Sequence, residues 1–456
     1  MTKAITNKSD NKHGITEGVI WQQLLIFFFP MLLGSFFQQL YNTADAVVVG
    51  RFIGKEALSA VGGTTGTIIN VLVGFFIAVS SGATIIISQY YGARKDEDVG
   101  NAVHTSMAFA ITGGIIIMVV GLVAAPYALK AMNTPEELMP YSLTYIRIYF
   151  YGLIPNLVYN IGSGILRAIG DSKRPLYFLI VSCFINIIFD LFFVVTLRMG
   201  IAGAAWATIL SQLISAILIC VSLTKSLESY QLKIRSIKFH KYISKSIISI
   251  GLPAGFQTLM YSFSNIIIQS FVNGYDTDTI AAWTSYSKID SMFWMIISSF
   301  GISLTTFVGQ NYGAKLNDRI RKGVRTCLGI SSAATVLISV ILYFFGTYIF
   351  YLFSDDPAVI EKGAVILRYL VPTYITYVCI EMYSGSLRGM GSTLIPLIMT
   401  GFGICALRVI WLYAAVPVYP DFTTVLFSYP MTWTVTSLMF IIYYQIFIRK
   451  KKIGFD

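Results

Sequence analysis

Long apolar runs follow one another along this chain from near residue 20 to residue 448, with short polar gaps between them. Each run is long enough to cross the hydrocarbon core of a bilayer, which takes roughly 20 residues as an α-helix. The runs lack the alternation that marks the strands of a membrane barrel, and irregular backbone cannot face lipid. Only 12% of the 456 residues are charged. The sequence therefore predicts an all-α integral membrane protein.

The apolar runs fall into two sets of six, which gives twelve predicted transmembrane helices. In the first half these helices cover residues 19–49, 58–88, 101–125, 140–168, 175–197 and 201–224. In the second half they cover residues 247–273, 280–310, 326–352, 360–388, 396–418 and 422–448. The predicted organisation is an N-terminal tail (1–18), an N-lobe (19–224), a linker (225–246), a C-lobe (247–448) and a basic C-terminal tail (449–456).

Short motifs recur between the two halves at one spacing. The segment QYYGA at residues 89–93 returns as QNYGA at 310–314, and LRAIG at 166–170 returns as LRGMG at 387–391. Both pairs have the same separation along the chain, which indicates an internal duplication. Because six spans is an even number, both halves enter the membrane from the same side. The two lobes are therefore predicted to be parallel repeats, an arrangement found in one large class of transporters.

Most of the 33 lysines and arginines lie in polar gaps on one side of the predicted helices. Such asymmetry marks the cytoplasmic side and places both termini in the cytoplasm. The net charge of +11 is thus a sign of topology, and we expect no nucleic-acid partner. The first apolar run lacks a cleavage site and is predicted to be a spanning helix rather than a signal peptide.

Four polar residues of the first half form a candidate ion site inside the predicted helices. Asp45 lies in the first helix, Asn186 and Asp190 lie four residues apart in the fifth, and Thr208 lies in the sixth. Ionisable residues within membrane spans are costly and are functional candidates by default. Their oxygen atoms suit a small hard cation such as Na⁺, or a proton. The alternative is that both aspartates lie near the outer ends of their helices and meet water.

The second half has a different set of ionisable residues. Glu381 lies deep in the tenth predicted helix with no basic residue within one turn, so we interpret it as a lone carboxylate that attracts a proton or a cationic ligand. Lys288 and Asp290 share the eighth helix and are interpreted as structural. The eleventh helix contains Arg408. The residues predicted to line a substrate cavity are Tyr41, Asn42, Asn265 and Glu381.

Enzymatic motifs do not emerge from the sequence. The segment GRFIGK at residues 50–55 has too short a spacing for a phosphate-binding loop, and Glu56 stands where a magnesium ligand would be. The three histidines and five cysteines show no metal or catalytic spacing. We expect no cofactor beyond a coupling ion and no ATP-driven transport.

Several motifs together make the chain similar to the multidrug and toxin extrusion (MATE) transporters, prokaryotic branch. The motifs are Pro30 followed by DAVVVG at 45–50, the paired QxxGA and LRxxG segments, GIAGAA at 200–205 and YPMTW at 429–433. The resemblance covers nearly the whole chain and implies two six-helix lobes in a V shape. It also implies export of amphipathic, often cationic, drugs and other xenobiotics in exchange for Na⁺ or H⁺.

The resemblance assigns the ion site of the family to Asp45, Asn186, Asp190 and Thr208. This chain departs from the NorM-like branch of the family, whose members carry acids in the seventh and tenth helices. Here the seventh helix has none, and Glu381 lies about one turn from the usual position. The expected location is the cytoplasmic (inner) membrane of a prokaryote, as a monomer without an obligatory protein partner.

Two alternatives stay open. One is a flippase for a lipid-linked or polysaccharide precursor, which would need a cavity rich in arginine and lysine; the basic residues here are expected to be cytoplasmic instead. The other is a receptor without transport activity, against which the internal duplication counts.

Overall fold

The computed structural model describes residues 15–351 and 354–450. Most of the predicted N-terminal tail (1–14) and C-terminal tail (451–456) lies outside the described residues, as does the end of the predicted ninth helix (352). Within the described part of the chain, every regular element is helical, as predicted.

Twelve helices follow one another, six in each lobe. Those of the N-lobe are α1 (Ile20–Phe52), α2 (Lys55–Gly92), α3 (Asp96–Ala131), α4 (Met139–Tyr151 and Leu153–Ala168), α5 (Lys173–Thr196) and α6 (Ile201–Thr224). Those of the C-lobe are α7 (Lys241–Val272), α8 (Thr277–Gly313), α9 (Asn317–Phe350), α10 (Pro357–Gly389), α11 (Leu394–Ala415) and α12 (Phe422–Lys450).

Ten of these helices are each long and apolar enough to cross a membrane. The other two are α4, which is divided at Gly152, and α7, which is a single helix of 32 residues with polar side chains such as Gln257 and Asn265 along it. The twelve predicted helices are confirmed. The divisions within them follow from tertiary packing: a Cβ added to Gly152 would lie 2.6 Å from the side chain of Ile209 in α6.

The seventh helix begins at Lys241, earlier than the predicted start at residue 247. The predicted linker therefore contributes its last residues to α7. The physical reason is the spacing of Ile243, Ile247 and Ile250, which places three apolar side chains on one helical face. All three are buried in the core of the N-lobe. Apolar burial thus extends the helix beyond the basic residues that suggested a linker.

The first helix of each lobe joins two hydrophobic cores. In α1, Leu24 and Phe28 belong to the C-lobe core, whereas Val48 and Val49 belong to the N-lobe core. The Phe28 ring stacks on Phe300 of α8, with 3.8 Å between the ring centroids. The same exchange occurs in α7, which begins in the N-lobe core and ends in the C-lobe core. A movement of either helix therefore changes packing contacts in both lobes.

The repeated glutamines connect the lobes at the end of the molecule that carries Arg94, Lys95 and Lys315, which we call the basic end. Gln89 in α2 donates from Nε2 to the Gly389 carbonyl of α10, at 2.8 Å. Gln310 in α8 donates from Nε2 to the Ala168 carbonyl of α4, at 2.7 Å. The glutamine of each QxxGA segment thus contacts the LRxxG segment of the other lobe.

The repeated glycines bring α2 and α8 into backbone contact. A Cβ added to Gly92 would lie 1.9 Å from the carbonyl oxygen of Gln310, and one added to Gly313 would lie 1.9 Å from that of Gln89. No side chain other than hydrogen fits at either position. The lobes are therefore closed against each other at the basic end.

Candidate functional site

The four predicted ion-site residues come together in the N-lobe and are buried. The exposed fractions are 6% for Asp45, 3% for Thr208 and 0% for both Asn186 and Asp190. The carboxyl groups of Asp45 and Asp190 are neighbours. The two aspartates therefore do not face bulk water, and the alternative based on their position near helix ends is wrong.

The polar atoms of this cluster lack the partners that buried polar atoms normally have. Among the described residues, neither Asp190 oxygen, nor Oδ1 of Asp45, nor either amide atom of Asn186 has a hydrogen-bond partner. Thr208 donates its hydroxyl proton to the Ala204 carbonyl, at 3.0 Å, which leaves its own oxygen free to accept. Such unpaired buried groups are costly. Two carboxylates, an amide oxygen and a hydroxyl oxygen suit one small cation or shared protons.

Local helix geometry presents these side chains to one another. Asn186 and Asp190 are one turn apart and share a face of α5. Directly after Asp190 the helix widens into a π-helical segment, Leu191–Thr196. Segments of this kind are rare and occur often at functional sites. No local pattern of residues indicates this segment.

Tyrosines close the cluster, and sequence reasoning missed two of them. Tyr145 and Tyr149 of α4 lie beside Asp45, with 6.2 Å between their ring centroids. Their spacing of four residues, which places them on one helical face, was the available signal. Tyr41, predicted to line a substrate cavity, lies in this cluster instead, and its buried hydroxyl has no hydrogen-bond partner in the described part of the chain.

A cavity of about 920 Å³ lies next to the C-lobe, with walls from both lobes. It extends from Arg388, near the basic end, to Gln269 and Trp283, near the opposite end. Asn265 and Glu381 line it, in line with their predicted place. Asn42 does not, because its side chain is exposed elsewhere on α1. The volume is that of a pocket for a drug-sized molecule.

The acids of this cavity are both engaged by donors. Glu381 Oε1 accepts from Arg388 Nη2 at 2.8 Å, so the interpretation of Glu381 as a lone carboxylate is wrong. The pairing residue is seven positions away, two turns along the same face of α10. Asp290 accepts from Tyr374 Oη at 2.6 Å, Tyr286 Oη at 3.2 Å and Trp294 Nε1 at 2.6 Å.

Lys288 is exposed and forms no ion pair with Asp290. The interpretation of Asp290 as structural agrees with its three hydrogen bonds, one of which reaches α10.

Three arginines line the cavity: Arg167, Arg388 and Arg408. The expected cytoplasmic position of the basic residues counted against a flippase; these three, which lie within or at the ends of the predicted helices, line the cavity instead. Arg167 and Arg388 are the second residues of the duplicated LRxxG segments, and both line the space between the lobes. Since Asp290 and Glu381 are the acids among the lining residues, the formal charge of the cavity is positive.

Comparison with known proteins agrees with the two-lobe geometry. The MatE family model matches the chain twice, over residues 30–192 and 253–414. The chain belongs to the MATE family of transporters.

Named relatives are found among bacteria. The chain is 28% identical over 442 residues to the probable multidrug resistance protein YoeA of Bacillus subtilis, which covers 95% of each chain. It is 25% identical to the probable multidrug resistance protein NorM of Thermotoga maritima, over 85% of this chain and 84% of that protein. These relatives support drug or xenobiotic efflux by a multi-pass prokaryotic membrane protein.

Solved structures share the fold. One is a MOP superfamily transporter from Pyrococcus furiosus, described with a binding pocket of reverse polarity, with a TM-score of 0.90 and 23% identity over 98% of this chain and 99% of that one. Another is an outward-facing multidrug resistance MATE family transporter, with a TM-score of 0.90 over 98% and 99% of the two chains.

Proposed function

We propose that the protein is a secondary antiporter that exports amphipathic, often cationic, compounds from the cytoplasm in exchange for Na⁺ or H⁺. The observation that carries this proposal is the N-lobe cluster of Asp45, Asn186, Asp190 and Thr208. These residues are buried together, and most of their polar atoms lack hydrogen-bond partners among the described residues. A transporter of the MATE family with such a cluster has a place to bind the ion whose inward movement drives export.

The chemistry of the cluster fits the coupling ion. Asp45, Asp190, the Asn186 amide oxygen and the Thr208 hydroxyl are the groups that would hold it. Bound charge neutralises two neighbouring carboxylates that repel each other when both are ionised. The same oxygen atoms can bind either ion, since protons and Na⁺ both bind carboxylate oxygens.

Coupling between ion and substrate runs through α1 in this proposal. The cluster residues do not line the large cavity, so ion and substrate bind at separate places. Asp45 lies in the half of α1 that belongs to the N-lobe, and Phe28 lies in the half that packs in the C-lobe core. An ion that ties Asp45 to α5 and α6 therefore restrains a helix that both lobes share.

The closed basic end gives the direction of access. If the basic end faces the cytoplasm, as the positive-inside rule implies, the described conformation holds the cytoplasmic side shut. The glutamine and glycine contacts at 89–92 and 310–313 must then separate for uptake from the cytoplasm. Rocking of one lobe against the other supplies this movement. A single chain contains both lobes, the ion cluster and the cavity, so a monomer suffices.

The test is efflux of ethidium from proteoliposomes under an imposed Na⁺ or proton gradient. We compare the wild type with Asp45→Asn, and use Asp318→Asn, a change at an exposed aspartate, as the matched control. Gradient-driven efflux in the wild type and the control, with loss in Asp45→Asn, is the expected result. Equal efflux in all three, or efflux that ignores both gradients, contradicts the proposed coupling.

A further inference from the structure

The large cavity contains a buried cation, Arg408, that forms no ion pair with the described residues. Of its two carboxylates, Glu381 is paired with Arg388, and Asp290 holds three hydrogen bonds from tyrosine and tryptophan. No carboxylate oxygen of the described residues lies within 4.0 Å of a nitrogen of Arg408. Asp290 lies close enough to interact with Arg408 electrostatically, but its oxygens accept from neutral tyrosine and tryptophan donors and do not contact the guanidinium.

Arg408 is held in place but not saturated. Its side chain is 3% exposed and lines the cavity. Nη2 donates to the hydroxyl oxygen of Thr432 in α12 at 3.0 Å, and the guanidinium lies over the Tyr429 ring at 4.1 Å from its centroid. The buried Nε has no hydrogen-bond partner in the part of the chain that the structure describes. A guanidinium has five N–H donors in a planar fork, so several remain for a ligand.

Burial of an arginine in this state is costly, because removing a charge from water costs several kcal/mol unless a partner compensates it. The fork geometry of arginine matches the two oxygens of a carboxylate. The π-helical segment Gly401–Ala406 ends two residues before Arg408.

Aromatic rings flank the guanidinium. Tyr429 lies 5.4 Å from Trp433 and 5.9 Å from Trp283, measured between ring centroids, and all three line the cavity. These rings form an apolar wall on which a flat aromatic ligand can stack. The charge and the wall are therefore side by side.

We propose that Arg408 is a carboxylate-binding subsite of the cavity, so that the protein prefers planar aromatic amphiphiles bearing a carboxylate over matched compounds without one. This inference rests on the proposed export function and specifies the substrate class. A zwitterion with a cationic and an acidic group satisfies both the export of amphipathic cations and the Arg408 subsite.

Two rhodamine dyes differ only in the carboxylate that the Arg408 subsite requires. Rhodamine 110 carries a free carboxylate, and rhodamine 123 is its methyl ester. We measure the dissociation constant of each by fluorescence polarisation with the purified full chain in detergent, for the wild type, Arg408→Gln and Arg408→Lys. Lys288→Gln, which removes an exposed cation of α8, is the matched control.

We expect the wild type and the control to bind rhodamine 110 about tenfold or more tightly than rhodamine 123, as a charge-assisted pair requires. Arg408→Gln should abolish this preference while binding of rhodamine 123 is kept, and Arg408→Lys should restore part of it. Equal binding of the two dyes by the wild type overturns the assignment, as does an equal loss of both dyes in Arg408→Gln, which indicates packing alone.

If dihexanoylphosphatidic acid displaces rhodamine 110 while the wild type binds the two dyes equally, the cavity binds a lipid and the assignment is overturned. The measurement uses no ion gradient, so it is independent of antiport. Failure of the proposed antiport would instead appear as dye binding that stays intact while neither gradient drives efflux.

Discussion

The closed basic end depends on two glycines, and adding one methyl group to each should open it. In Gly92→Ala the new Cβ would lie 1.9 Å from the Gln310 carbonyl oxygen, whereas an ordinary contact needs at least 3.4 Å. The helices α2 and α8 must therefore move apart at this point until the methyl group fits. Gly313→Ala makes the same demand against Gln89. We predict that either change shifts the population towards a conformation open at the basic end.

The size of the shift follows from two contributions. Forcing a methyl group into a close-packed seam costs about 1–3 kcal/mol. Separation also loosens the hydrogen bonds from Gln89 to Gly389 and from Gln310 to Ala168, each worth about 0.5–1.5 kcal/mol. These contacts exist only in the closed state, so their loss changes the balance between conformations more than the stability of each lobe. The methyl group alone changes the population ratio by about fivefold to 150-fold.

Distances between spin labels across the basic end report this shift. Glu97→Cys in α3 and Asp318→Cys in α9 place one label on each lobe at exposed sites, in a background without the five native cysteines. Gly329→Ala is the matched control, because a Cβ there meets nothing within 4 Å. We expect a longer-distance population in Gly92→Ala and Gly313→Ala only. Distance distributions identical to that of the control would refute the role assigned to the glycines.

Two further changes test the contacts of the C-lobe by thermal unfolding. Glu381→Ala should destabilise the protein by about 1.5–3 kcal/mol, because it removes the charged acceptor of Arg388, while Glu381→Gln should cost less because an amide oxygen can still accept. Equal melting temperatures for the two variants would contradict the pairing. Asp276 accepts from the Thr279 backbone amide at the start of α8, and its contacts with Lys362 and Thr279 hold its pKa below the usual range. Asp276→Ala should therefore lower the melting temperature at pH 7 more than Asp276→Asn, which can still cap the helix. The contribution of the ionised carboxylate should persist down to about pH 4, the ordinary value, and be lost below it; a loss that begins near neutral pH would contradict this ionic contact.

Much of the fold could be predicted because it depends on hydrophobic length and on repetition. The paired motifs at 89–93 and 310–314 indicated two lobes. The divisions within helices could not be predicted, since the break at Gly152 and the π-helical segments after Asp190 and before Arg408 depend on neighbouring helices. The early start of α7 was signalled by the helical spacing of Ile243, Ile247 and Ile250, but their burial in the other lobe depends on tertiary packing.

The N-lobe cluster could be assembled from residue type and resemblance, because intramembrane acids are rare. The positive charge of the large cavity could not be predicted, because Arg167 and Arg388 lie near helix ends in the sequence, where cytoplasmic residues are expected. Their side chains reach the cavity because the helix ends of both lobes meet at the basic end. The spacing of Glu381 and Arg388, two helical turns, was a usable signal for their pairing.

In the proposed mechanism, the N-lobe cluster couples ion movement to substrate export. The most direct test reverses the drive: an ethidium gradient is imposed across proteoliposomes, and movement of protons or Na⁺ is followed with a dye sensitive to the ion inside. We predict ion movement opposite to ethidium in the wild type, and none in Asp190→Asn although ethidium still binds. Ion movement of equal size in Asp190→Asn would contradict it.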